Sequence, residues 1–119
     1  MAMSNMKNDE NVVLCVSNAY QKKYYLNSNF EDLPEHIKKE LKIMCVMYTE
    51  DVGGILSVEF DADGNLEFHT TYEDGDFFYD EIGSVLKIKQ YQNEKKDLLE
   101  AIETYYKVLF LGQGFDEED

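Results

Sequence analysis

The spacing of the apolar residues changes at Gly53-Gly54, and no other feature constrains the fold as strongly. Before this pair, apolar side chains recur at steps of three and four, which predicts one face of an amphipathic helix. They are Leu33, Ile37, Leu41, Met44, Cys45, Tyr48 and Val52. After it, Leu56, Val58 and Phe60 alternate with less apolar residues, which is the period of a strand with one buried face. The sequence therefore predicts a helix that ends at a glycine pair and leads into a strand.

A start signal for this helix lies at residues 32–35. Asp32 is predicted to cap the helix and Glu35 to reach back as its partner. Pro34 is expected in the first turn, where its missing N–H costs little.

Two hairpins are predicted, one on each side of this helix. Residues 12–17 and 20–26 flank the turn-like Ser17-Asn18, and residues 55–60 and 66–72 flank the turn sequence at 61–65.

Residues 80–111 return to a helical spacing. An unbroken helix there would be about 48 Å long, whereas a compact domain of this size is about 35 Å across. We therefore expect either a break between residues 91 and 95 or a projecting arm. The predicted apolar stripe comprises Ile82, Val85, Leu86, Leu98, Leu99, Ile102, Tyr105, Tyr106 and Leu109.

The order of these elements, ββαββα, predicts an α+β fold of two layers. We expect an antiparallel four-stranded sheet with two main helices on one face, the second helix being long or broken. One domain is predicted over residues 12–112, with a disordered leader at 1–11 and an acidic tail at 113–119.

The charge balance excludes several classes of function. Twenty-five acidic residues against eleven lysines, with no arginine, give a net charge of −14. This charge argues against direct binding to nucleic acid or to an anionic membrane. Bidentate arginine clamps are absent. The longest apolar stretches, 43–48 and 108–111, are far shorter than the roughly 20 residues that cross a bilayer.

We assign no catalytic residue and find no cofactor motif in the sequence, which favours a protein that is not an enzyme. Cys15 and Cys45 lie in apolar segments without a CxxC motif or a secretory signal, which predicts free core thiols in a reducing cytoplasm. His36 is expected to be exposed. The glycine pair follows a helix and so does not cradle a phosphate. Catalysis by residues that only the fold brings together stays open.

A candidate divalent-metal site lies in the turn of the second hairpin. Its oxygen ligands would be Asp61, Asp63, Asn65 and Glu67. They alternate as in a calcium loop, but the glycine comes early and Tyr72 stands where an EF-hand has its bidentate acid. A plain hairpin turn with Gly64 at positive φ is therefore the favoured interpretation.

A second acidic cluster follows the second hairpin, with His69 nearby in sequence. It comprises Glu73, Asp74, Asp76, Asp80 and Glu81. Such a cluster could hold a divalent ion or contain a general acid. A solvated surface is favoured, because the spacing is not specific and Asp80 suits a helix cap.

Aromatic residues are frequent, with seven Phe and nine Tyr and no Trp. Adjacent rings on a strand or helix cannot all face one core, so some are expected at a rim or at a partner surface. Simple packing at the edge of the core is the alternative. The candidate interface residues are Tyr24, Tyr25, Phe77, Phe78, Tyr105 and Tyr106.

Several short segments resemble a family of short, acidic, uncharacterised proteins from clostridial bacteria, known only as a domain of unknown function. These segments are 22–27, 33–35, 40–46, 49–54, 79–84 and 105–108. The resemblance covers residues 12–112. It implies a bacterial cytoplasmic protein and brings no activity, cofactor or catalytic residue.

Three hypotheses about function follow. The first is a non-enzymatic interaction module that binds a protein partner or itself, as a homodimer through the C-terminal helix. The second is an acidic protein that binds a basic partner surface in the manner of a nucleic-acid mimic. The third is a divalent-metal or small-ligand site.

Overall fold

The computed structural model describes residues 11–113. The expected leader and acidic tail therefore lie largely outside the described residues, at 1–10 and 114–119. The strands are β1 (Val12–Asn18), β2 (Lys23–Leu26), β3 (Ile55–Phe60) and β4 (Leu66–Thr71). The helices are α1 (Glu35–Val52), α2 (Glu81–Glu94) and α3 (Lys96–Leu109), with a short 3-10 turn at Ser28–Phe30.

The four strands form one antiparallel sheet in the order β2-β1-β3-β4. The predicted α+β class and four-stranded antiparallel sheet are confirmed. The first hairpin turns at residues 19–22 and not at Ser17-Asn18, because β1 continues through Asn18. The Asn18 side chain accepts hydrogen bonds from the backbone N–H groups of Tyr20 (2.9 Å) and Gln21 (3.2 Å), which fixes that turn.

The core is built from alternate residues of the strands together with residues of all three helices. Leu56, Val58 and Phe60 are buried along β3, as their alternation predicts. A bulge in β1 between Val13 and Cys15 buries two consecutive residues there. The buried apolar residues are Leu14, Cys15, Phe30, Leu33, Leu41, Met44, Cys45, Tyr48, Val52, Leu56, Val58, Phe60, Tyr91, Leu98, Leu99, Ile102 and Tyr106.

The first helix begins at Glu35, with Pro34 in the N-cap position and no side-chain cap. The predicted cap by Asp32 is wrong, because Leu33 is buried in the core before the helix starts and the Pro34 carbonyl accepts the first helical hydrogen bond, from Lys38 N at 3.0 Å. The predicted end at the glycine pair is confirmed. Gly53 and Gly54 have φ of +83° and +74°.

The second helical segment breaks at Lys95, whose φ of −106° and ψ of 26° leave the helical range. Residues 11–113 therefore contain three helices instead of two, and the expected break is confirmed. No helix within residues 11–113 is both long enough and apolar enough to cross a membrane.

The apolar stripe predicted for residues 80–111 is buried along most of α3 but exposed at the start of α2 and at Leu109. Leu98, Leu99, Ile102 and Tyr106 are buried, but Ile82, Val85 and Leu86 are exposed. The buried residues of α2 are instead Ser84 and Tyr91.

Candidate functional site

Exposed apolar side chains concentrate at the start of α2 and in the loop before it. We call this surface the FF patch: Phe77, Phe78, Ile82, Val85 and Leu86. Phe77 is 92% exposed, Phe78 96% and Ile82 76%. The two phenylalanines alone offer roughly 300–500 Å² of aromatic surface. The largest apolar patch of an ordinary monomer is about 300–600 Å² and is often functional.

The two parts of the FF patch are continuous. Phe77 and Ile82 line one shallow pocket of about 440 Å³ together with Tyr72 and Tyr79. The rings of Tyr72 and Tyr79 stack with their centroids 4.4 Å apart, which gives this pocket an aromatic wall. Phe77 of the loop therefore adjoins Ile82 at the start of the exposed helix face.

Hydrogen bonds hold the loop that carries the phenylalanines. The Tyr20 hydroxyl donates to Asp76 Oδ2 at 2.5 Å and accepts from the backbone N–H of Glu73 at 3.0 Å. Asp76 Oδ1 accepts from the backbone N–H of Phe78 at 3.0 Å. These bonds tie the loop to the β1–β2 turn while the rings of the FF patch remain in solvent.

Polar contacts explain why α2 turns its apolar residues outward. Ser84 is buried and its Oγ accepts from the Tyr79 hydroxyl at 2.9 Å, and it also contacts the Tyr48 hydroxyl. Lys87 pairs with Asp51 at 3.2 Å. On a helix, Ile82 and Leu86 lie about half a turn away from Ser84. The inner position of Ser84 therefore leaves them on the outer face.

Five carboxylates flank the FF patch in sequence, and three of them, Asp76, Asp80 and Glu81, line its pocket. The five are Glu73, Asp74, Asp76, Asp80 and Glu81. Across residues 11–113, no lysine forms an ion pair with any of these five. Asp80 caps α2 by accepting from Gly83 N at 2.8 Å, as the sequence predicts. His69 is not part of this cluster and contacts Glu67 at 2.8 Å.

The six candidate interface aromatics do not form one surface. Tyr24 and Tyr25 lie on β2 and the phenylalanines follow β4, so the two groups belong to opposite edges of the sheet. Tyr25 is exposed, whereas Tyr106 is buried against Phe60 with ring centroids 3.9 Å apart. Tyr106 therefore packs inside the core.

The four candidate metal ligands lie in and beside the turn of the second hairpin. Asp61 Oδ1 accepts from the backbone N–H groups of Asp63 and Asn65, both at 2.9 Å. Asn65 Oδ1 accepts from Lys107 at 3.0 Å, and Glu67 accepts from Asn11 at 3.1 Å. The part of the chain that the structure describes contains no group of three or more His, Cys, Asp or Glu side chains arranged for a metal ion. The metal site stays a prediction.

The two cysteines are free and buried, with their Sγ atoms 3.7 Å apart. The contact with the Cys15 thiol and then burial raise the pKa of Cys45 well above its ordinary value. A thiol that stays protonated and buried is a poor nucleophile.

A second concave surface lies between the first hairpin and the C-terminal half of α1. We call it the lysine pocket; its volume is about 580 Å³. It is lined by Ser17, Asn18, Ala19, Lys22, Lys23, Tyr24, Lys42, Val46, Thr49 and Glu50. This site could not be predicted from the sequence, because Lys42 is twenty positions from Lys22 and only the fold brings them together. The one sequence signal is the Lys22-Lys23 pair in an otherwise acidic chain.

Within residues 11–113, the fold and these surfaces define an α+β protein with a four-stranded antiparallel sheet, three helices and an apolar surface open to solvent. The chain belongs to a family of unknown function, DUF6145, whose model matches residues 11–114. No curated protein and no solved structure matches the chain.

Proposed function

We propose that the protein is a non-enzymatic interaction module that docks a basic partner protein on the FF patch. The observation that carries this proposal is an exposed apolar surface with an uncompensated acidic border. Ile82, Val85 and Leu86 follow the i, i+3, i+4 pattern by which one helix packs on another or in a groove. Phe77 and Phe78 extend that face with two aromatic anchors.

The apolar area supplies the affinity. Burying one exposed phenylalanine stabilises a contact by about 1.5–3 kcal/mol. Aromatic anchors near the centre of an interface dominate its energy. Because Phe77 and Phe78 are almost fully exposed, their removal leaves the folded core untouched.

The acidic border selects the partner. A second copy of the chain docked through the same patch would place its own carboxylates against Glu73, Asp74 and Asp80, and like charges there oppose association. A partner whose apolar side chains are flanked by lysine or arginine meets the opposite charge. This proposal joins the interaction module and the acidic binder of the sequence analysis in one surface.

Self-association through the C-terminal helix has less support. α3 directs Leu98, Leu99 and Ile102 into the core, so most of its apolar stripe is buried and only its end, at Leu109, is exposed. The proposed setting is the cytoplasm of a clostridial bacterium, where the buried thiols would stay reduced.

The test compares matched variants of the tagged protein in lysate of the native bacterium. Wild type is expected to retain a basic protein that Phe77→Ala/Phe78→Ala no longer retains. Glu73→Gln/Asp74→Asn should retain less of it, because the charge attraction falls. Tyr25→Ala is the control, since it removes an exposed aromatic from a different surface.

Three outcomes would overturn the proposal. In the first, the captured proteins are the same with and without the two phenylalanines. In the second, Tyr25→Ala loses the captured protein as completely as the double variant. In the third, the purified protein dimerises in light scattering through the FF patch and captures nothing else.

A further inference from the structure

We propose that the lysine pocket binds a small phosphorylated organic anion. Lys22 and Lys23 come from the first hairpin and Lys42 from α1, so three cations converge on one concave surface. Glu50 is the one carboxylate in its lining. The local charge is therefore positive in a chain whose net charge is −14.

The pocket lysines lack the ion pairs that other lysines of this chain make. Lys38 pairs with Glu35 at 3.0 Å and Lys87 with Asp51 at 3.2 Å. Neither Lys22, Lys23 nor Lys42 has a carboxylate partner within 4.0 Å among the described residues. Their charges are available to a ligand.

The floor of the pocket is formed by two buried hydroxyls. Ser17 Oγ and Thr49 Oγ1 share a hydrogen bond of 2.8 Å, and Thr49 Oγ1 also donates to the backbone carbonyl of Val46 at 3.2 Å. Asn18 contributes a donor, because its Oδ1 accepts the hydrogen bonds of the turn while its Nδ2 has no partner within residues 11–113. A ligand oxygen near the floor thus meets an amide donor as well as the lysines.

The walls suit an organic group next to the anion. Tyr24 and Val46 supply apolar surface, and Lys42 Nζ lies 5.9 Å from the centre of the Tyr24 ring. The volume lies within the roughly 300–1,000 Å³ of small-molecule sites. Lysine binds phosphate as a point charge, whereas paired recognition of a carboxylate favours arginine, which this chain lacks.

The backbone at Lys22 supports a role other than folding. Its φ is +54°, and it is the one non-glycine residue with positive φ in residues 11–113. Glycine would hold this turn with less strain. Replacing Lys22 by glycine therefore removes a pocket charge without weakening the turn.

The lysine pocket shares no residue with the FF patch, so this proposal does not depend on the docking function. Calorimetric titration with inorganic pyrophosphate, adenosine monophosphate and citrate tests it. We expect both phosphates to bind at low salt and citrate to bind more weakly. Lys42→Gln and Lys22→Gly should each weaken phosphate binding about tenfold, as expected for a lost charge-assisted contact.

Lys39→Gln is the matched control, because Lys39 is exposed on α1 outside the pocket. It should change the dissociation constant less than about twofold. The thermal midpoint of Lys22→Gly should equal or exceed that of wild type, which excludes unfolding as the cause of weaker binding. The proposal is overturned if neither phosphate binds at about 10 mM, if citrate binds best, or if Lys39→Gln weakens binding as much as Lys42→Gln.

Discussion

Replacing Tyr24 by phenylalanine should stabilise the protein. The Tyr24 hydroxyl is buried and has no hydrogen-bond partner among the described residues. Burial, and then the nearby thiols of Cys15 and Cys45, raise the pKa of this phenol far above its ordinary value. Thiols are weak hydrogen-bond partners, so they offset only part of the lost hydration.

The magnitude follows from the burial of this one oxygen atom. An unsatisfied buried hydroxyl costs about 1–3 kcal/mol. After allowance for the two thiols, Tyr24→Phe should raise the free energy of unfolding by about 1 kcal/mol. For a chain of this size that corresponds to a rise of roughly 3–6 °C in the thermal midpoint.

Urea unfolding followed by circular dichroism measures this change, with the slope of the transition expected to stay constant. Two tyrosines serve as controls. Tyr25→Phe should have no effect, since Tyr25 is exposed. Tyr48→Phe should lower the free energy of unfolding by about 1 kcal/mol, because its hydroxyl bonds to Ser84. A loss of stability in Tyr24→Phe would refute the reasoning, since it would mean that the hydroxyl makes a favourable bond.

Four further outcomes are expected. Burial raises the pKa of the Tyr48 hydroxyl. The stabilisation that this group gives the folded protein should therefore be complete below its unfolded pKa of about 10 and should be lost above it, by at most about 1.4 kcal/mol per pH unit. Urea midpoints on either side of pH 10 measure this change. Gly54→Ala should cost about 2–4 kcal/mol, because a Cβ there would lie 2.6 Å from a tyrosine ring and 2.7 Å from a carbonyl oxygen. Gly75→Ala has a similar positive φ but open space around the Cβ, so an equal loss in a melting experiment would contradict the steric argument. Neither Cys15 nor Cys45 should react with a thiol reagent until urea unfolds the chain, and rapid labelling of the native protein would show that the core opens. Calcium should leave the thermal midpoint unchanged, because the turn carboxylate between β3 and β4 already accepts two backbone hydrogen bonds; a rise that EDTA reverses would establish the metal site.

The sequence predicted the elements whose pattern is local. The steps of three and four before Gly53 and the alternation after it place α1 and β3 correctly, because one apolar face determines each element. The inward position of Ser84 could not be predicted from hydropathy. Ser84 contacts the hydroxyls of Tyr79 and Tyr48, and only the fold brings Tyr48 of α1 to this place.

The same distinction applies to the candidate sites. Phe77 and Phe78 could be singled out because adjacent phenylalanines in an acidic loop are conspicuous by themselves. The spacing of Ile82 and Leu86 predicts that they share an apolar face, but it does not predict the direction in which that face points. The lysine pocket joins residues far apart in the chain, so its charge could not be read from any one segment.

The sparse burial of α2 has a consequence for its motion. Two of its fourteen residues are buried, whereas α1 buries six of eighteen and α3 four of fourteen. Helices with few buried contacts open locally at a smaller free-energy difference than the rest of a domain. The backbone amides of α2 should therefore exchange with deuterium before those of α1 and α3. A partner bound to α2 would slow the exchange of the amides that it covers.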